Sequence, residues 1–263
     1  MGQRAPSLGR VVTESREIER IAFVTGASRG IGRAIAIALA RAGHPVGVCY
    51  GSDADAARET QAAVEGEGAK ALAVQADVTD PDAVDAAFSA VESAFGRITI
   101  LVNNAGIARD GLVARMSDEH WDAVIDTNLT GAFNTIRRAT AGMMRERYGR
   151  IVNISSVTAQ VGQAGQANYA AAKAGLLGLS RSIARELAPR NVTCNVVAPG
   201  PIVTAMTDDM PAEWKSQIEA AVPLGRFGRA EECAAVVAFL CSDAASYVTG
   251  ALVPVDGGLG MGH

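Results

Sequence analysis

A tyrosine and a lysine four residues apart, in Tyr169-Ala170-Ala171-Ala172-Lys173, are the first residues whose types and spacing suggest chemistry. On a helix, positions i and i+4 share a face, so the phenol and the ammonium would stand together. A free phenol has a pKa of about 10, too high for ready proton exchange at neutrality, and a neighbouring ammonium lowers it by favouring the phenolate. Such a pair can serve as an acid–base couple. For an isolated pair the default is plainer: a half-buried tyrosine beside a lysine that snorkels to water. Three further polar sites change the weighing. Ser156 closes an apolar run thirteen residues earlier, and Asn103-Asn104-Ala105-Gly106 closes another. Asn128 stands inside a long helical pattern, where asparagine is a poor former and needs a reason.

The second constellation is Thr25-Gly26-Ala27-Ser28-Arg29-Gly30-Ile31-Gly32, between the first apolar run and an amphipathic stretch. Gly26 permits a tight turn, Gly30 lets backbone approach a pyrophosphate, and Gly32 allows close packing of helix on sheet. Backbone N–H groups at the helix start would then face an anion. A glycine-rich turn without a ligand is the alternative, and the spacing G-x-x-x-G-x-G differs from the commoner G-x-G-x-x-G. There is no G-x-x-x-x-G-K-[ST], so a nucleoside-triphosphatase loop is not supported. An acid at the end of the second strand would favour NAD, and a nearby arginine NADP. Here that strand ends Cys49-Tyr50-Gly51-Ser52, with Asp53 and Asp55 beyond it. Arg29 could reach a 2′-phosphate or could be a solvated loop cation. The reading leans to NADP(H).

Positioning these groups requires alternating elements. Strands are expected at Ile21–Thr25, Pro45–Tyr50, Ala71–Gln75, Ile98–Asn103, Arg150–Ser155, Asn191–Ala198 and Ala251–Val255, each nearly continuous in apolar residues. Helices are expected at Gly32–Ala42, Ala54–Glu67, Pro81–Phe95, Asp118–Arg145, Tyr169–Ala188 and Ala230–Cys241. Asp80-Pro81 has the form of a helix start. The alternation predicts one Rossmann-like α/β domain over residues 21–263, a doubly wound parallel sheet of about seven strands with helices on both faces. Residues 1–20 read as a flexible extension. Ligands of such sheets bind beyond the carboxyl ends of the strands, where the glycine loop, Asn103–Gly106 and Ser156 are placed.

Composition excludes several function classes. The 263 residues carry a net charge of −4 and no basic run, so nucleic acid is not an expected partner. The apolar stretch Cys233–Cys241 is far too short to cross a bilayer, and the first twenty residues lack a signal-peptide core. The expectation is a cytoplasmic protein with no membrane partner. Cys49, Cys194, Cys233 and Cys241 form no C-x-x-C and read as small core residues, with no metal site. His44, His120 and His263 read as ordinary surface histidines, which leaves no Ser-His-Asp triad.

From about residue 20 onward the chain resembles the short-chain dehydrogenases/reductases. The likeness rests on T-G-x-x-x-G-x-G at Thr25–Gly32, Asp77-Val78, Asn103–Gly106, Asn128, Ser156, Tyr169/Lys173, Pro199-Gly200 and Thr204. The resemblance implies that Tyr169 protonates a carbonyl oxygen as hydride arrives from a nicotinamide. It implies that Lys173 holds the nicotinamide ribose and lowers the pKa of Tyr169, that Ser156 hydrogen-bonds the substrate oxygen, and that Asn128 anchors a proton-relay water. Gly26, Ser28, Arg29, Gly30, Ile31, Gly32 and Gly106 would line the cofactor. Asp77 and Val78 would contact its adenine, Asn104 the adenosine ribose, and Ile202 and Thr204 its carboxamide and phosphate.

Within that family, Gly165–Gly175, Asn195–Gly200 and Pro254–Gly258 resemble the 3-oxoacyl-(acyl-carrier-protein) reductases of bacterial fatty-acid synthesis. The tail Gly260–His263 resembles members acting on long acyl chains. Trp121–Thr130 and Gly149–Ser156 also resemble acetoacetyl-coenzyme A reductases. The open alternatives are a reductase of coenzyme A esters or secondary-metabolite ketones, and a nucleotide-binding sensor without turnover. A substrate lid is expected over Met206–Ala221, with Met206, Met210 and Trp214 as apolar contacts or as core. Arg145, Arg147 and Arg150 cluster before and within the fifth strand, and Arg190 follows the catalytic helix. The resemblance makes Arg147 and Arg190 docking cations for an acidic carrier protein. It also implies a homotetramer with the Asp118–Arg145 and Tyr169–Ala188 helices between subunits.

Overall fold

A computed structural model describes residues 19–203 and 211–261. Seven parallel strands, β1 (Ile21–Val24), β2 (Val46–Tyr50), β3 (Ala71–Gln75), β4 (Ile98–Asn103), β5 (Gly149–Ile154), β6 (Val192–Pro199) and β7 (Leu252–Val255), form one sheet. Their order is β3-β2-β1-β4-β5-β6-β7. The chain therefore runs outward from β1 in one direction, returns to β4, and continues in the other. The crevice between the carboxyl ends of β1 and β4 is the switch point where such sheets bind ligands.

Residues alternate between the two sheet faces, and each face is covered by helices. Ala22 and Val24 of β1 join a core with Ile35, Ala36 and Leu39 of α1 (Gly30–Arg41), Ala57 and Val64 of α2 (Ala54–Gly66), and Val237 and Leu240 of a C-terminal helix at Ala230–Cys241. Ile21 and Phe23 face the other core. There they meet Phe88 and Val91 of α3 (Pro81–Phe95), with Ile136 and Met143 from beyond β4 and Leu187 from beyond β5. Gly47 has no side chain because a Cβ there would lie 2.8 Å from Val91 and 2.9 Å from Phe23. Asp80 caps α3 by accepting from the N–H groups of Asp82 and Ala83, with Pro81 next.

The expected strands and helices over these residues are present, with ends shifted by a residue or two. Two differences matter for the site. The expected helix Asp118–Arg145 is two helices, α4 (Asp118–Ile125) and α5 (Gly131–Glu146), joined by a π-helical turn at Asp126–Thr130. A short helix α6 (Thr158–Val161), not foreseen, precedes α7 (Ala167–Leu187). Helix α8 (Ala212–Ala221) occupies the second half of the expected lid and buries none of its residues; α9 is Ala230–Cys241. Thr204, Met206, Met210, His263 and residues 1–18 of the expected N-terminal extension lie outside the described residues. Arg20, within reach of the sheet's other end, pairs with Asp243 at 2.7 Å. No helix among the described residues is long and apolar enough to cross a membrane.

Candidate active site

The glycine loop is held from three sides. Thr25 Oγ1 accepts hydrogen bonds from the N–H groups of Asn104 and Ala105, each at 3.0 Å. Asn104 Nδ2 donates to the carbonyls of Thr25 and Gly26 at 3.1 and 2.9 Å, so its amide hydrogens brace the turn. Buried Thr60 of α2 donates to the Ser28 carbonyl at 3.0 Å. Gly26 and Gly30 adopt φ of 61° and 56°, which glycine alone takes without strain. A Cβ on Gly32 would lie 2.2 Å from the Gly26 carbonyl oxygen, so only glycine lets α1 start this close to the turn.

The start of α1 fits an anion. The residues at the starts of α2, α3 and α4 (Asp53, Asp80 and Ser117) accept first-turn N–H groups with their side chains. Arg29, at the same position on α1, offers no acceptor, and the first turn has no acidic residue. That leaves the N–H groups of the first turn for a ligand, and the helix dipole favours a negative one. A pyrophosphate fits this cradle of Gly26, Ser28, Arg29, Gly30, Ile31 and Gly32. Arg29 is exposed, and its guanidinium lies 3.4 Å from Asp53, which also caps α2.

Other expected cofactor contacts follow β3, β4 and β6. Asp77 is exposed after β3, its carboxylate accepting from Thr79 N–H and Oγ1 at 2.9 and 2.8 Å. Val78 is buried, and its carbonyl accepts from Asn134 of α5 at 3.0 Å. Ile202 is buried after β6 and forms a parallel bridge to Gly228. Gly106 faces the catalytic candidates directly. A Cβ there would lie 2.5 Å from Asn128 Oδ1 and 3.3 Å from Lys173 Nζ.

The structure brings Asn128, Ser156, Tyr169 and Lys173 to this same edge. Asn128 sits in the π-turn, buried, and exchanges two hydrogen bonds of 2.8 Å with the backbone of Ile107. The extra residue of the turn is what aims its side chain into the loop after β4, and such turns recur at functional sites. Lys173 is held at both ends: its carbonyl accepts from Ser155 Oγ and its Nζ donates to the Ile154 carbonyl, both at 2.8 Å. Burial pushes the Lys173 pKa down to about 8. Ser156 Oγ accepts from Thr158 N–H at 3.2 Å, which leaves its own hydroxyl proton uncommitted to that bond.

Tyr169 differs from the expectation in one respect. Burial raises its pKa, the Ser156 hydrogen bond opposes that rise, and the Asp110 carboxylate adds to it. The Lys173 ammonium lies 5.7 Å from the ring centroid, with its hydrogen bond directed to the Ile154 carbonyl. The arrangement holds a protonated phenol beside a hydroxyl donor, with a cation under the ring.

Sequence reasoning assigned no role to Thr60 or to a buried polar chain beneath the site. Thr135 Oγ1 donates to Asn103 at 2.6 Å, Asn103 to Asn153 at 2.8 Å, and Asn153 to Ser180 at 2.8 Å. These bonds tie α5, β4, β5 and α7 together. The signal was there: asparagine inside an otherwise apolar strand has to find a partner. Of the four grouped arginines, Arg145, Arg147 and Arg190 line a hollow of about 400 Å³ with Ala141 and Met144. Arg150 does not join them. It is buried, donates to the carbonyls of Gly149 and Asn191, and stacks 4.2 Å over Tyr148. Among the described residues, no cluster of His, Cys, Asp and Glu could hold a metal ion.

Residues 26–260 match the profile of a family described as enoyl-(acyl carrier protein) reductase. The chain is 50% identical over 245 residues to the 3-oxoacyl-[acyl-carrier-protein] reductase FabG of Staphylococcus aureus (strain Mu50), covering 93% of this chain and 100% of that one. It is 48% identical to the 3-oxoacyl-[acyl-carrier-protein] reductase of Synechocystis sp., covering 92% and 97%. The 3-oxoacyl-[acyl-carrier-protein] reductase MabA of Mycobacterium bovis is likewise 48% identical, covering 94% and 95%. A phosphate cradle at the switch point, a serine–tyrosine–lysine group beside it and likeness over nearly the whole length agree: the chain belongs to the short-chain dehydrogenase/reductase family of nicotinamide-dependent oxidoreductases.

Proposed function

We propose that this protein is an NADPH-dependent 3-oxoacyl-(acyl-carrier-protein) reductase, which converts the 3-oxoacyl thioester to the 3-hydroxyacyl thioester in fatty-acid synthesis. The observation that carries the reading is the gathering of Ser156, Tyr169 and buried Lys173 at one edge of the sheet, in a chain whose relatives bear that name over nearly their full length. The retained phenol also weighs against a sensor without turnover, which could bind nucleotide without a proton donor.

When bound, the dihydronicotinamide supplies hydride to the carbonyl carbon of the substrate. Tyr169 donates its hydroxyl proton to the carbonyl oxygen as negative charge develops there. Ser156 hydrogen-bonds the same oxygen, placing a preformed donor where the charge appears. Lys173 holds the nicotinamide ribose, and its cation favours the phenolate left on Tyr169 after transfer. Asn128, fixed by Ile107, positions the water through which the proton is replaced. Gly26 to Gly32 would hold the pyrophosphate, Asp77 and Val78 the adenine, and Ile202, with Thr204 from outside the described residues, the carboxamide and phosphate. The subunits form a homotetramer with α4, α5 and α7 between them, where Phe133 is 42% exposed in the single chain. The location is cytoplasmic, which suits four unpaired cysteines.

The preference for NADPH rests on Arg29 and on Tyr50-Gly51-Ser52 in place of an acid. Asp53 pairs with Arg29 at 3.4 Å and accepts from the Ala56 N–H, so its carboxylate already serves the arginine and the start of α2. A charge-assisted contact to phosphate contributes about 1.5–3 kcal/mol, so Arg29→Ala should reduce the NADPH-over-NADH preference by roughly tenfold or more. Turnover at saturating NADPH should change little. Equal kcat/KM for both cofactors in the intact protein would contradict the assignment.

Arg147 and Arg190 are the proposed carrier-docking cations. Arg147 ends α5 with φ of 51°, a left-handed conformation that glycine takes more readily. Its side chain is exposed and lines a hollow with Arg145 and Arg190. Arg147→Glu with Arg190→Glu should lower kcat/KM for the carrier-bound substrate by about tenfold or more, with a steeper salt dependence in the parent. A small 3-oxoacyl thioester should be reduced at nearly the parent rate. Equal losses on both substrates would make the arginines structural and favour the coenzyme A reading.

A further inference from the structure

Asn168, the residue before Tyr169, is fully buried and makes three hydrogen bonds in three directions. Its Oδ1 accepts from the Tyr169 N–H at 2.8 Å, inside the first turn of α7. Its Nδ2 donates outward to the Arg109 carbonyl at 3.0 Å and to the His120 carbonyl at 3.2 Å. The first acceptor lies in the loop after β4 and the second in α4. Accepting that first-turn N–H needs only the oxygen, which serine or aspartate could supply. Two donors aimed at two other elements require an amide.

The same loop is joined to the same turn at two more points. Gln166 Nε2 donates to Asp110 at 3.0 Å, and the Gly111 N–H donates to the Gly165 carbonyl at 2.8 Å. Residues 109, 110 and 111 are thus each tied to residues 165–168. We propose that Asn168 is a positioning residue that locks the loop after β4 and the start of α4 to the turn carrying Tyr169, so that the substrate-facing wall and the proton donor keep one geometry. The proposal rests on the reading of Tyr169 as proton donor. The lock also keeps the Asp110 carboxylate close enough to act on the phenol.

The test is Asn168→Ser, which retains a first-turn acceptor and loses both outward donors. The variant should fold and bind NADPH with near-parent affinity, because the phosphate loop is untouched. Its kcat for a 3-oxoacyl thioester should fall by roughly 10- to 100-fold, the scale of an ångström-sized misplacement. The basic limb of its kcat–pH profile should move to lower pH, as the loosened phenol regains water and its pKa returns toward the ordinary value. Amide exchange should quicken over residues 107–112. Gln166→Leu, which removes only the exposed link to Asp110, is the second variant and should shift exchange in the same direction. A folded Asn168→Ser with parent kcat, parent pH limb and parent exchange would overturn the proposal. If the parent protein does not reduce the thioester, the functional reading fails separately. Amide exchange, read without substrate, then still decides: quickened exchange at 107–112 supports the lock and unchanged exchange overturns it.

Discussion

Tyr169→Phe should lower kcat by about 10²- to 10⁴-fold while leaving NADPH affinity nearly unchanged, because general acid catalysis is worth about that factor. Phenylalanine keeps the ring that packs beside Lys173 and removes only the phenol oxygen. The glycine loop proposed to hold the pyrophosphate is braced by Thr25, Asn104 and Thr60, and the phenol is not among its braces. Binding and turnover therefore separate in this variant. Fluorescence titration with NADPH, alongside steady-state reduction of a 3-oxoacyl thioester, measures both. Near-parent turnover by Tyr169→Phe would remove the proton donor from the mechanism.

Lys173→Met should have effects of opposite sign on function and stability. The variant loses the ribose contact and the cation under Tyr169, so kcat and NADPH affinity should both fall, by tenfold or more if each contact is worth about 1.4 kcal/mol. Stability of the cofactor-free protein should rise. The folded-state pKa of Lys173 is lowered to about 8 from a reference of 10.5. Below pH 8 the folded protein carries the buried charge at a cost on the order of 3 kcal/mol. Methionine removes that cost, and the lost hydrogen bond to Ile154 offsets roughly 1 kcal/mol of the gain. Melting temperature at pH 7 should therefore rise by several degrees.

The pH dependence fixes the sign of that argument. Between pH 8 and 10.5 the unfolded lysine binds a proton that the folded one has released, so the stability of the parent increases with pH across this window. The gap between Lys173→Met and the parent should be full below pH 8 and close as pH approaches the unfolded value. A variant no more stable than the parent at pH 7 would mean that water reaches the ammonium.

Much of this arrangement was legible because it rests on short-range rules. Strands covered on both faces have to be largely apolar, and each of the seven read as a nearly continuous apolar run. Gly26, Gly30 and Gly32 were readable because each answers a local steric demand. The break at Asp126–Thr130 was not readable, since a π-turn preserves the apolar helical stripe on either side. Only the oddity of Asn128 in mid-helix marked it. The burial of Arg150 was also hidden: its neighbours in sequence are exposed arginines, while its partners, Asn191 and Asp243, are distant in the chain. Asn104 was expected to line a ribose, and its two bonds to the glycine loop depend on the meeting of β1 and β4, which no local pattern encodes. The raised pKa of Tyr169 likewise follows from tertiary burial rather than from the spacing of Tyr169 and Lys173.

The central claim is that this chain reduces a carrier-bound 3-oxoacyl thioester with NADPH. Its most direct test follows NADPH absorbance with the purified protein and 3-oxoacyl-(acyl-carrier-protein), with the product identified by mass and the coenzyme A thioester run in parallel. The account predicts stoichiometric loss of NADPH and formation of the 3-hydroxyacyl carrier product, at a higher kcat/KM than for the coenzyme A thioester. Tight binding of NADPH without its consumption on either thioester would contradict it.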